Sequence, residues 1–138
     1  MTGVSDLTAA TVDAAVVRTQ IVLVEFSAEW CAACLPMRAI IEEIALERSG
    51  SAEVAHVDVG LYPSVVERYG VQTLPTSVVF LDGVEARRVT GACTKRRLLQ
   101  YLDEVIVELK SRPDQRNGDA SNGATSRNAS SPAASIST

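Results

Sequence analysis

The stretch that decides the fold is Val24–Met37, VEFSAEWCAACLPM. Cys31 and Cys34 stand two residues apart, directly behind the chain's only tryptophan, Trp30. Upstream, IVLVEF at 21–26 is apolar apart from Glu25, as expected for a central strand covered on both faces. Downstream, Met37, Ile40, Ile41 and Ile44 recur at i, i+3, i+4 and i+7, the stripe of a helix packed on one side. Arg38, Glu42, Glu43 and Glu47 take the other side. The two thiols therefore sit at a strand-to-helix junction, and Glu25 is a carboxylate in a segment that has to be buried.

Working outward, EVAHVDV at 53–59 reads as the next strand. Strand, helix and strand with no hairpin turn between them imply a right-handed parallel crossover. A short helix is expected over Ser64–Tyr69, stopped by Gly70. The pattern then changes. TSVVFL and VEARRVT are strand-like runs joined by Asp82-Gly83, a hairpin signal. The last helix starts near Thr94, with Leu98, Tyr101, Leu102, Val105 and Leu109 as its apolar stripe. At the other end, TAATVDAAVVR at 8–18 reads as a short first helix. The expected fold class is α/β: a central mixed β-sheet flanked by helices on both faces, in a single domain over 1–110.

Composition shifts near 111. From Ser111 to Thr138 the chain is mostly Ser, Asn, Ala, Gly and Pro, with Ile136 the only large aliphatic residue. Such a segment buries too little surface to offset its ordering entropy, so 111–138 is expected to be a disordered tail. Its Asn128-Ala129-Ser130 sequon carries no weight in a cytosolic chain. The 138 residues, 46% hydrophobic, suit one domain with a real core. A net charge of −4 gives no electrostatic reason to expect nucleic-acid binding. The first residues lack a basic start followed by an apolar run, and no apolar run approaches a membrane span. The expected location is cytoplasmic, off the membrane, where thiols stay reduced.

Three cysteines, Cys31, Cys34 and Cys93, are too few and too odd for a disulfide framework. The close pair is therefore read as chemical. A helix N-terminus offers unpaired N–H groups and positive partial charge, which stabilise a thiolate and lower the pKa of Cys31. Two intervening residues on a helical turn bring the second sulfur close, so a disulfide can open and close with little backbone motion. A zinc half-site is the alternative, but it needs further ligands. Only Cys93 and His56 remain, without zinc-like spacing. Inert packing is the other alternative. No metal is expected, and no Gly-rich dinucleotide signature appears. The expected redox group is the dithiol itself.

VEFSAEWCAAC, YGVQTLPTSVVFLDGVE and VTGA, in order and at their spacings, resemble the thioredoxin family. The resemblance covers about the first 110 residues. It implies a thiol–disulfide oxidoreductase that reduces protein disulfides through Cys31 and Cys34. It implies a cis proline at Pro75, facing the cysteines and leaving main-chain groups free for a substrate strand. It places Trp30, Ala32, Ala33, Leu74, Pro75, Gly91 and Ala92 around the client. It implies disulfide-containing client proteins, a flavin-dependent, NADPH-fed thioredoxin reductase as electron donor, and a monomer. At the position of Glu25 the family usually has an aspartate beneath the second cysteine. Burial raises the pKa of such a carboxyl, which could then accept the Cys34 proton near neutral pH. A solvated Glu25 is the plain alternative.

The chain also departs from the pattern. Ala32-Ala33 replaces the usual Gly-Pro, which bears on the reduction potential. Leu35 replaces a common lysine, Ala39 the mid-helix proline, and Ser27 a common aromatic residue. His56 stands where a lysine near the buried acid is common. It is either a partner for Glu25 that tunes the site near neutrality or a satisfied core histidine. Cys93 is either a modifiable thiol or, the favoured reading, a packed one. Arg87, Arg88, Lys95, Arg96 and Arg97 are read as a solvated face. Beside a general disulfide reductase stand two other readings, a redox factor specialised for one client and a redox-sensing binding module.

Overall fold

The computed structural model describes residues 3–112. Five strands form one sheet: β1 (Val4–Leu7), β2 (Ile21–Ser27), β3 (Glu53–Asp58), β4 (Thr76–Leu81) and β5 (Val84–Thr90). Four α-helices join them: α1 (Val12–Arg18), α2 (Leu35–Glu47), α3 (Ser64–Tyr69) and α4 (Lys95–Ser111). The strand order is β1-β3-β2-β4-β5. β3 runs parallel to both β1 and β2, while β4 is antiparallel to β2 and to β5. The sheet is mixed, as its sequence pattern predicts.

Every residue of β2 is buried, because β2 lies in the middle of the sheet and both of its faces are covered. Val22, Val24 and Phe26 meet Val12 and Val16 of α1 and Val65 of α3 on one face. Ile21 and Leu23 meet Met37, Ile41 and Ile44 of α2 and Leu98, Leu102 and Val105 of α4 on the other. Period-2 alternation thus sends odd-numbered β2 residues toward α2 and α4. Glu25 is one of them.

The hairpin forms at Asp82 and Gly83, both at positive φ (51° and 83°). That is the turn whose twist matches the flanking strands. Gly70 closes α3 in the left-handed conformation, φ 64°. Thr94 caps α4, its hydroxyl accepting from the Arg97 N–H at 3.1 Å.

Two details differ from expectation. β1 had no readable signal; it is four residues long, and two of them are exposed, so no alternation marks it. The first helix begins at Val12 because Thr8–Thr11 forms a turn, with the Thr8 N–H on the Thr11 hydroxyl at 2.9 Å. The expected tail of 111–138 lies outside the described residues except for Ser111, the last residue of α4, and Arg112, its C-cap. The basic cluster is engaged within the chain. Arg87 pairs with Glu104 at 3.2 Å, Arg88 with Glu85 at 2.8 Å, and Lys95 with Glu43 at 3.0 Å and with Glu47. Arg97 lies over the Tyr101 ring.

Candidate active site

After β2 the chain turns at Ala28–Trp30, and the Cys31 N–H donates to the Ala28 carbonyl at 3.1 Å. Cys31 is extended (φ −91°, ψ 106°) and caps a 3-10 turn, Ala32–Cys34, that runs straight into α2. Pro36 fits in the first turn of α2, where an N–H is not needed. Cys31 and Cys34 are joined in a disulfide with 5.3 Å between their Cα atoms. They are 8% and 5% exposed, while Ala32 and Ala33 between them are exposed. The first N–H groups of the helical segment have no intrahelical acceptor, so their dipoles favour negative charge where Cys31 stands. Among the described residues no group of three or more His, Cys, Asp or Glu is placed to hold a metal ion.

Three loops adjoin this turn or each other. Trp30 is 74% exposed, which excludes a core role. Its indole reaches Gly60, where an added Cβ would lie 3.2 Å from Nε1. The Leu74–Pro75 bond is cis, and Leu74 packs on the apolar cluster that contains both cysteines. The Gly91 N–H donates to the Pro75 carbonyl at 2.6 Å, fixing the loop of Gly91 and the exposed Ala92 against the proline. Cys93 is half-buried against the α2/α4 core, and burial pushes its thiol pKa up, which fits a packed, unreactive sulfur.

Glu25 is 1% exposed, which excludes the solvated reading. Among the described residues no hydrogen bond reaches its Oε2. Burial raises its pKa to about 7, against the pull of Arg38. His56 does not pair with it. Ser27 Oγ lies 2.5 Å from His56 Nε2 and Asp6 Oδ1 lies 3.3 Å from Nδ1. A carboxylate on Nδ1 places the ring hydrogen there, so Nε2 accepts from the Ser27 hydroxyl. Burial, then Arg38, lowers the His56 pKa, and Asp6 and Asp58 oppose that. Beside the dithiol opens a cleft of about 520 Å3, lined in part by Ser27, Cys34, Leu35, Arg38, His56 and Asp58.

The family model described as Thioredoxin matches residues 3–104. The chain belongs to the thioredoxin family. It is 39% identical over 88 residues to the thioredoxin of Mycobacterium tuberculosis (strain ATCC 25618 / H37Rv), covering 64% of this chain and 76% of that protein. To the thioredoxin of Staphylococcus aureus (strain N315) it is 35% identical over 88 residues, covering 64% and 85%. Among solved structures it is similar to a mutant thioredoxin from Halobacterium salinarum NRC-1, with TM-score 0.65 and 27% identity, covering 72% of this chain and 89% of that one. Plasmodium falciparum thioredoxin gives TM-score 0.68 at 25% identity, covering 73% and 98%. The chain is accordingly a thiol–disulfide oxidoreductase, and Cys31–Cys34 is its CxxC pair.

The neighbourhood of the buried acid was only partly legible in the sequence. Sequence reasoning found Glu25 and His56 but missed Asp6, Arg38 and Ser77 as their neighbours. Arg38 reaches Asp6 at 3.5 Å and Glu42 at 3.2 Å. Among the described residues the buried Ser77 hydroxyl has no partner. A serine at an inward position of an apolar strand was the available signal, because a buried hydroxyl without a partner carries a desolvation cost.

Proposed function

We propose that the chain reduces disulfides of client proteins by a two-step exchange. Cys31, as thiolate, attacks a client disulfide; a Cys31–client bond forms and the client's other sulfur leaves as thiolate. Cys34 gives its proton to the Glu25 carboxylate and attacks the Cys31 sulfur. The client's second sulfur leaves and the internal disulfide remains. Two electrons pass to the client, and a flavin-dependent, NADPH-fed reductase returns them. Trp30, Ala32, Ala33, Leu74, Pro75, Gly91 and Ala92 form the surface on which a client strand lies.

The observation that carries this reading is the placement of Cys31 at the N-terminal end of a helical segment, with a buried carboxyl of raised pKa in the adjoining strand. Family membership supports the reductase and the clients as classes. A reducing compartment, the cytoplasm, suits a dithiol that must be returned to its reduced form after each turnover. The test is insulin reduction with excess dithiol reductant. The chain should turn over many equivalents, and Cys31→Ser should abolish turnover. Redox-dependent binding of a partner with stoichiometric reduction only would instead make it a sensing module.

A further inference from the structure

Four polar side chains form one row across the sheet. Ser77 of β4 is the register partner of Glu25 of β2, Glu25 is the partner of His56 of β3, and His56 is the partner of Asp6 of β1. Register partners share a face, here the face under α2 and α4. The row runs from a fully buried end to an open one: Glu25 is 1% exposed, whereas the side chains of His56 and Asp6 are 15% and 70% exposed. Glu25 does not line the cleft beside Cys34, but Ser27, His56 and Asp6 all do.

We infer that this row is the exit route for the proton that Glu25 takes from Cys34, with His56 relaying it to Asp6 and the cleft. The inference rests on the proposed role of Glu25. The steps balance as proton transfers alone. The Cys34 S–H proton moves to a Glu25 oxygen. From there it passes to His56 Nε2 through the Ser27 hydroxyl, which lies 2.5 Å from that nitrogen; Ser27 is two residues from Glu25 on the same face of β2, and that first step would take a bridging water. The imidazolium so formed releases its Nδ1 hydrogen toward Asp6 Oδ1, 3.3 Å away, and Asp6 delivers it to solvent.

The groups around His56 suit a transient carrier. Asp6 from β1, Ser27 from β2, Arg38 from α2 and Asp58 from its own strand act on it, and Glu25 of β2 is its register partner. Burial, then Arg38, disfavours the charged ring, and Nε2 faces the Ser27 hydroxyl through which the proton arrives. Asp6 and Asp58 favour the cation once it forms. A lysine at this position has no second nitrogen through which a proton leaves on the far side, whereas imidazole has two.

The experiment follows resolution of a mixed disulfide between Cys31 and a client peptide thiol by stopped flow, from pH 5.5 to 8.5. His56→Asn should slow resolution on the order of tenfold, a fraction of what a positioned proton-transfer group supplies. The first attack by Cys31 should be unchanged. Added free imidazole should restore the rate to His56→Ala, and Asp6→Asn, at an exposed position that tolerates change, should slow the same step to a smaller degree. Glu25→Gln is run beside them. If it slows resolution and neither His56→Asn nor Asp6→Asn does, the relay is overturned and the role of Glu25 stands. If Glu25→Gln leaves resolution unchanged, both fail. Slowing by His56→Asn without imidazole rescue in His56→Ala makes His56 structural only and overturns the relay.

Discussion

Glu25 and His56 face each other across the parallel β2–β3 pair, yet the imidazole turns its two nitrogens to Ser27 and Asp6. Among the described residues Glu25 therefore has no cation in contact, and Arg38 acts on it only through space. Desolvation wins, and the carboxyl holds its proton to about pH 7.

Glu25→Gln should accordingly separate the two chemical steps. Glutamine fills the same volume but takes no proton. Resolution of the mixed disulfide by Cys34 should slow on the order of a hundredfold, the lower range for a lost proton-transfer group. Attack by Cys31 should change little. In the native chain the resolution rate should rise with pH through about 7 as Glu25 ionises, and the variant should lose that rise. Stopped-flow emission of Trp30, the only tryptophan, provides the readout. Equal slowing of both steps would remove Glu25 from the proton path.

The same burial makes a stability prediction. In the unfolded chain Glu25 ionises near 4.5, in the folded chain near 7. Between those values the folded state holds a proton that the unfolded state has lost, so this group's contribution falls as pH rises. The gap corresponds to roughly 3 kcal/mol. Below pH 4.5 the neutral acid and the amide are near equivalents. Glu25→Gln should therefore match the native chain there and exceed it by up to about 3 kcal/mol above pH 7. Urea denaturation at pH 4, 5.5 and 7.5 checks this. A stability difference independent of pH would show that Glu25 is ionised in the fold.

The core strands and the dithiol were legible because their physics is local. Ile21–Phe26 is apolar in both directions, Asp82-Gly83 can take the positive φ values a tight hairpin needs, and Met37, Ile41 and Ile44 repeat at the helical period. Cys31-Ala32-Ala33-Cys34 shows its chemistry by spacing alone. The polar row was illegible because it is a property of register. Asp6, Glu25, His56 and Ser77 are far apart in the chain, and only the pairing of four strands brings them side by side. β1, four residues with a half-exposed pattern, gave no warning that Asp6 belongs to the sheet at all. The ion-pair partners of the basic cluster were illegible for the same reason: the carboxylates that pair with Lys95 and Arg87 come from α2 and from further along α4.

Gly60 tests the placement of Trp30. A Cβ there would lie 3.1 Å from Asp58 Oδ1 and 3.2 Å from Trp30 Nε1. The exposed indole is the neighbour that can move. Gly60→Ala should shift Trp30 emission and its change on reduction, while costing less than about 1 kcal/mol, as for other surface changes. A loss of several degrees in Tm would instead show that Asp58 gave way, breaking its bonds to the Gly60 and Leu61 N–H groups.

Among the described residues α4 is the last element of the domain. Val105 and Ile106 are the last buried residues of α4, and Arg112 reaches back to Asp82 in the β4–β5 turn at 2.6 Å. Both partners are partly exposed, so the pair is worth about 0–1 kcal/mol. The residues beyond Arg112 include one large aliphatic side chain, Ile136, and so carry little apolar surface to bury. A chain ending at Arg112 should melt within about 2 °C of the full chain, because a cut that removes no buried apolar area leaves the unfolding free energy unchanged. A chain ending at Lys110 should lose somewhat more, since it gives up the Asp82 pair and the end of α4. A drop of several degrees on the first cut would show that 113–138 packs on the domain. Calorimetry of the three chains at one pH decides it.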